Sequence, residues 1–218
     1  KTGKKIKVVA ISAKNPNKKR KFKIDKKIFY KNPIDIIKKN KIDILFEVIG
    51  NSDGISKRIV ELSLKNKIHV ITPNKALISK HGDYLSSLAE KNKVNLEFEA
   101  SVCGGVPIIR SLKEGLIANK IHKIFGIFNG TSNYILSSMD KQNKSFNDVL
   151  KTAKKLGYAE TNPLADLSGE DVSSKLKILS SLCFNSFLNK NIHVEGIKNI
   201  DKQDIDYANQ LGYKIKLL

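Results

Sequence analysis

Ile42-Asp43-Ile44-Leu45-Phe46-Glu47-Val48-Ile49-Gly50 is almost continuously apolar and closes on a glycine. That pattern predicts a strand buried on both faces of a parallel sheet. Beyond it, Ile55, Ile59, Leu62 and Leu64 recur at near-helical spacing up to Lys67, and Ile68-His69-Val70-Ile71 predicts the next strand. Thr72-Pro73 then opens a helix with proline at its first position, carrying Leu77, Leu85 and Leu88. Val94 to Phe98 predicts a further strand. On the near side, Ile6 to Ile11 predicts a strand, Lys14 to Arg20 a polar loop and Pro33 to Asn40 a short helix. Strands alternating with helices imply βαβ units, hence an α/β fold with a parallel sheet and right-handed crossovers.

The pattern changes after Phe98. A turn at Gly104-Gly105-Val106-Pro107 feeds a helix to about Asn119, and Ile121 to Phe128 alternates like a strand. Asn129-Gly130-Thr131-Ser132 caps a helix through Met139, and Asn147 to Leu156 predicts another. Val172, Leu176, Leu179 and Leu182 mark a third. The remainder reads as strand (His193 to Ile197), helix (Asp204 to Leu211) and strand (Tyr213 to Leu218). This mixed order places a domain boundary near residue 99, giving domains 1–98 and 99–218.

The chain has 218 residues, 40% hydrophobic, enough for two modest cores. No apolar run approaches the ~20 residues that span a bilayer. Two distant cysteines, Cys103 and Cys183, fit a reducing cytoplasm rather than a disulfide framework or zinc site. The net charge of +19 raises nucleic acid as a partner. The cations are nearly all scattered lysines, with arginine only at 20, 58 and 110, which counts against a base-reading surface. No methionine opens the chain and its last run stops inside a strand-like pattern, so it reads as part of a longer protein.

Against this basic background, Glu160, Asp166, Glu170 and Asp171 gather within a dozen positions, and Lys175 follows one helical turn later. Ser168-Gly169-Glu170-Asp171 fits a capping box, with Ser168 as N-cap and Asp171 at N3. Lys175, on the same helical face as Asp171, is left over by that reading. Carboxylates converging on one lysine would hold it charged and aimed, as protonation of an alkoxide requires. From spacing alone, the cap is the better reading of this stretch. Lys75 starts a helix after a strand, at the sheet edge where open parallel sheets bind ligands. Glu47, Gly50 and Asn51 close the preceding strand there. Taken singly, Lys75 reads as a solvent lysine and Glu47 as a strand-end carboxylate accepting backbone N–H bonds.

Four blocks resemble the homoserine dehydrogenase family: Thr72-Pro73-Asn74-Lys75-Ala76-Leu77, Phe98 to Ile109, Asn129-Gly130-Thr131-Ser132-Asn133-Tyr134-Ile135-Leu136, and Gly157 to Lys175. Their order and spacing match over essentially the whole chain. The resemblance implies a partial Rossmann-like domain followed by an α+β catalytic and dimerisation domain. It implies reversible NAD(P)H-dependent reduction of L-aspartate 4-semialdehyde to L-homoserine, on the way to threonine and methionine. It makes Lys175 and Lys75 catalytic lysines, with Lys175 the proton donor, and Asp166 and Asp171 the groups that orient substrate and Lys175. Glu160 would bind the substrate amino group, beside Thr131 and Tyr158. Gly50, Asn51, Thr72, Asn74 and Lys75 would meet the cofactor. Backbone carbonyls of Glu99, Val102, Gly104 and Val106 would hold a monovalent cation such as sodium. A homodimer or higher homo-oligomer is implied; nucleic acid and membrane are not. Cys103 has no histidine placed to activate it and reads as a small residue.

The family pattern also calls for a Gly-rich phosphate turn, which is absent before Ile6. The first visible strand therefore matches the family's second. It ends at Ala13-Lys14-Asn15, followed by Lys18, Lys19 and Arg20, where an acidic residue would select NAD. Cations there predict binding of NADP, with NAD as the alternative. The missing turn keeps a second reading in view, an inactive relic that acts through dimer contacts.

Overall fold

The computed structural model describes residues 3–184 and 192–218. It divides into two compact units, Lys1–Ser101 and Val102–Leu218.

In the first unit the parallel strands β3 (Ile44–Phe46), β4 (His69–Ile71) and β5 (Leu96–Glu97) form one sheet in the order β3-β4-β5. A two-stranded parallel sheet pairs β1 (Ile11–Ser12) with β2 (Phe29–Tyr30), followed by α1 (Ile34–Lys39). Helix α2 (Ile55–Lys65) crosses from β3 to β4, and α3 (Lys75–Lys91) from β4 to β5. Two right-handed crossovers stepping the same way put both helices on one face, and α2 packs against α3.

The register explains which side chains form the core. Leu45, Val70 and Leu96 stand side by side on one face and are 6%, 0% and 6% exposed. Val60 and Leu64 of α2, with Leu77 and Leu85 of α3, are fully buried. Each such side chain contributes about 1.5–3 kcal/mol of transfer free energy. Glu47 has the parity of Leu45, so it too is buried. The opposite parity is not: Ile44, Phe46 and Val48 are all exposed. The expectation of a strand buried on both faces is thus corrected. Its apolar run equips both faces for burial, but within this unit helices cover one.

Two further expectations change. Ladder pairing in the first predicted strand is confined to Ile11–Ser12, where Phe29–Tyr30 supplies a partner, and Ile6 and Val8 lie exposed. Helix α3 begins at Lys75 with Asn74 as N-cap, so Pro73 precedes the helix instead of opening it.

The second unit contains α4 (Ile108–Arg110), which runs into a π-helical turn at Ser111–Gly115, then α5 (Gly130–Gln142) and α6 (Phe146–Lys155). Helices α7 (Leu164–Ser168), α8 (Glu170–Phe184) and α9 (Lys202–Gln210) follow. Its core joins Ile135, Leu136 and Met139 of α5 to Val149 and Ala153 of α6, Leu167 of α7 and Ile205 of α9. Residues 121–128, 193–197 and 213–218, predicted as strands, form no strand among the described residues. Alternation marks a stretch suited to a ladder; it does not supply the neighbour.

One of these stretches packs closely instead. The Ile197 N–H donates to Leu167 O at 2.9 Å. At Gly196 a Cβ would overlap the Leu167 carbonyl oxygen and stand 2.7 Å from Ser168 Cα. At Gly169, where φ is +85°, a Cβ would stand 2.8 Å from Val194 Cγ1. Two glycines therefore let 194–197 lie directly on the α7–α8 junction. Gly196→Ala is expected to lower the unfolding free energy by about 1–3 kcal/mol through overpacking, measured by urea denaturation. An unchanged midpoint would show that this seam is not close-packed.

Candidate active site

In the first unit five of the predicted cofactor-binding residues, Gly50, Asn51, Thr72, Asn74 and Lys75, lie at the carboxyl edge of the three-stranded sheet, around Glu47. Glu47 is 2% exposed. Its Oε1 accepts from Ile49 N–H at 2.7 Å, Gly50 N–H at 3.4 Å and Ser56 Oγ at 3.1 Å. Its Oε2 accepts from Thr72 Oγ1 at 2.6 Å and Asn74 Nδ2 at 3.3 Å. Asn74 Nδ2 also donates to Asn51 O at 2.8 Å, and Asn74 Oδ1 caps α3 by accepting from Leu77 N–H at 3.1 Å. Lys75, half-buried, is the first residue of that helix. Gly50 has φ +100° and open space where a Cβ would stand. A ring or ribose can approach such a backbone closely, so this edge fits a dinucleotide of the class found at open parallel sheets.

The loop between β3 and α2 has a second anchor. Asp53 accepts from Lys80 Nζ at 2.6 Å and lies 2.9 Å from His81 Nε2. The bond from Lys80, with those from Ser52 and His81, holds the Asp53 carboxyl well below the usual carboxylate range. Lys14 lies just past β1, in the loop leading to β2 and apart from this edge's sheet. The Arg20 guanidinium in that loop donates to the carbonyls of Asn15, Pro16 and Lys18 at 2.8, 3.1 and 2.9 Å. It organises its own loop.

In the second unit Asp166, Asp171 and Lys175 come together. Asp171 and Lys175 are one turn apart on α8; Lys175 Nζ bonds Asp171 Oδ2 at 2.7 Å, with side chains 16% and 4% exposed. Lys175 Nζ also donates to Phe128 O at 2.7 Å. Asn129, the N-cap of α5, bridges the carboxylates: its Nδ2 donates to Asp166 Oδ1 at 2.7 Å and to Asp171 Oδ2 at 2.9 Å. Its Oδ1 accepts from Ser132 N–H at 2.8 Å, and Ser132 Oγ donates to Asp166 O at 2.8 Å. Thr131, beside Asn129, donates to Tyr158 O at 2.7 Å, and the Tyr158 ring stacks on Tyr134 at 4.5 Å. Glu160 stands exposed on the loop between α6 and α7.

The expected capping box is displaced. Helix α8 begins at Glu170, so Ser168 ends α7, and its hydroxyl accepts from Glu170 N–H at 3.4 Å. The Asp171 side chain turns inward to Lys175 and Asn129. Of the predicted cation ligands, Val102, Gly104 and Val106 share one turn, where Val106 N–H donates to Cys103 O at 2.8 Å; Glu99 belongs to the first unit. Among the described residues no group of three or more His, Cys, Asp or Glu side chains could hold a metal ion.

Two family models match the chain: the homoserine dehydrogenase NAD-binding domain over residues 1–99 and homoserine dehydrogenase over residues 107–218. The chain belongs to the homoserine dehydrogenase family. A homoserine dehydrogenase of Neisseria gonorrhoeae is 45% identical over 87% of this chain and 44% of its own length. A crystal structure of the Staphylococcus aureus homoserine dehydrogenase superposes with a TM-score of 0.83 at 41% identity, covering 96% of this chain and 52% of that one. A hyperthermophilic archaeal homoserine dehydrogenase in complex with NADPH gives a TM-score of 0.73 at 29% identity, covering 79% and 53%. The chain spans about half the length of these relatives.

Sequence reasoning missed Asn129 as part of the cluster. The available signal was its N-cap position; the bonds to Asp166 and Asp171 span 37 and 42 positions. Asn129→Asp keeps the cap oxygen and loses both donors, placing a third carboxylate beside the other two. Asn129→Ala is expected to cost about 1–3 kcal/mol in chemical denaturation, and Asn129→Asp more. A near-neutral Asn129→Asp would mean that only the cap matters.

Proposed function

We propose that this protein is a homoserine dehydrogenase that reversibly reduces L-aspartate 4-semialdehyde to L-homoserine with NAD(P)H, on the route to threonine and methionine. The observation that carries the reading is the half-buried lysine held by Asp171 Oδ2 and Phe128 O, both at 2.7 Å.

A nicotinamide dinucleotide held along Gly50, Asn51, Thr72 and Asn74 would supply the hydride that the aldehyde carbon takes up. As negative charge grows on the carbonyl oxygen, Lys175 donates a proton from Nζ. An ammonium has three N–H groups; two are directed at Asp171 and Phe128, and the third serves the substrate oxygen. Asp171 pairs with the lysine and fixes its direction, so little reorganisation is needed when charge develops. Asn129 keeps Asp166 and Asp171 together despite their like charge, leaving Asp166 to orient substrate. Glu160, exposed and anionic, binds the substrate ammonium, and Thr131 and Tyr158 line the same pocket. Gly50, Asn51, Thr72 and Asn74 meet the cofactor, and Lys75 acts as the second catalytic lysine.

Lys14, with Lys18 and Lys19, favours the 2′-phosphate of NADP. The carbonyls of Glu99, Val102, Gly104 and Val106 are neutral hard donors suited to a monovalent cation. The protein acts as a homodimer or higher homo-oligomer in the cytoplasm. No helix among the described residues is long and apolar enough to cross a membrane.

The test is oxidation of L-homoserine by the natural full-length protein, with NADP and with NAD. Lys175→Ala is expected to lower kcat about 10²–10⁴-fold, the usual worth of a positioned acid. A folded wild type without activity sinks the reading. Charge removal at Lys14, Lys18 and Lys19 together is expected to lower the NADP:NAD ratio of kcat/KM about tenfold, the effect of losing roughly 1.4 kcal/mol. An unmoved ratio would assign cofactor choice elsewhere.

A further inference from the structure

We propose that Glu47 is a positioning residue that locks the Gly50–Asn51 loop and the Thr72–Lys75 turn into one rigid edge, and so sets where Lys75 and the cofactor-facing backbone stand. The proposal rests on the dehydrogenase reading for its kinetic consequences, but its structural content stands apart from it.

A carboxylate with 2% exposure needs bonds to replace the water it has lost. Glu47 finds five donors, all neutral: the Ile49 and Gly50 peptides, the Ser56 and Thr72 hydroxyls and the Asn74 amide. The division between its two oxygens matters. Oε1 gathers the chain leaving β3 and the first turn of α2, whereas Oε2 gathers the chain leaving β4. One side chain thus joins segments 25 and 27 positions apart.

From Oε2 the tie continues to Lys75. Thr72 Oγ1, which donates to Glu47, also accepts from Asn74 N–H at 3.0 Å. Asn74 caps α3 and bonds Asn51 O at 2.8 Å. Fixing Thr72 and Asn74 therefore fixes both the start of α3, where Lys75 stands, and the carbonyl of Asn51. Glu47 lies beneath this edge and is too buried to meet a ligand itself; it acts through the residues it holds.

Only an acid at this position accepts on both sides. In Glu47→Gln the packing is kept, but an NH₂ group must face one of the two donor sets. That set loses its acceptor and the tie opens. Ser56, fully buried, cannot touch a ligand either, so Ser56→Ala weakens the same anchor by one bond with little risk to folding.

The experiment compares wild type, Glu47→Gln and Ser56→Ala as natural full-length proteins. For Glu47→Gln the expected result is a tenfold or greater loss of kcat/KM for the dinucleotide, with KM for L-homoserine within twofold. Ser56→Ala is expected to move in the same direction by two- to fivefold. A purely structural role would lower stability and leave the kinetic constants of the folded fraction unchanged. Hydrogen exchange supplies a readout independent of activity: amides in 49–51 and 74–78 should exchange faster together, by tenfold or more in Glu47→Gln, with the rest of α3 unmoved. Folded variants with kinetic constants within twofold and no joint acceleration overturn the proposal. Should Glu47→Gln not fold, Ser56→Ala decides by the same two measurements. Should the wild type lack dehydrogenase activity, the catalytic reading fails, and joint or separate loosening of the two segments still decides the role of Glu47.

Discussion

The second unit depends on a buried carboxylate and the lysine one turn beyond it. Asp171 and Lys175 sit 2.7 Å apart with almost no solvent around the acid. Removing either partner of such a pair typically costs about 3–5 kcal/mol, because the survivor is left charged and dry. The surroundings are built accordingly. Asn129 gives Asp171 a second donor, and Phe128 gives the lysine a second acceptor. Residues 128 and 129 enter α5, so the start of one helix is bonded to the first turns of another. The pair is thus held by the chain on both sides, and the direction of the lysine follows from backbone placement.

The first unit meets the same demand differently. Glu47 is equally buried, yet its five donors are all neutral. An ion pair fixes one partner strongly; a carboxylate shared among neutral donors fixes several segments at once. The first arrangement suits a lysine that has to stay charged and aimed. The second suits an edge assembled from two loops that follow neighbouring strands. In both places a polar residue buried for its bonds, not its packing, sets the local geometry.

What could be read from sequence follows the range of the interactions. Helices α2, α3, α5, α6 and α8 announce themselves by period, and β3, β4 and β5 by short apolar or alternating runs, because these are local properties. Strand extent was less legible. Ile6 to Ala10 carry strand chemistry, yet pairing needs a neighbour, and only Ile11 and Ser12 have one. β2 is two residues, Phe29 and Tyr30, in a lysine-rich stretch too short to show a period. In the site, Asp171 and Lys175 were legible from their four-residue spacing. The bridge through Asn129 was not, since nothing local distinguishes an asparagine that caps a helix from one that also joins two acids. Glu47 was visible only as a strand-end acid; its partners beyond β4 come from the register of the sheet.

The charge balance shows why bulk composition says little about such a site. At +19 the chain advertises a basic surface, and its lysines are mostly exposed, where water screens them. Glu47 and Asp171 lie in the interior, where the effective dielectric is lower and each bond to them is stronger. The few buried acids therefore govern geometry out of proportion to their number. The same contrast separates Lys175 from the other lysines of the chain. Its ammonium is fixed by a buried carboxylate and a backbone carbonyl, so its remaining N–H points where the fold directs it.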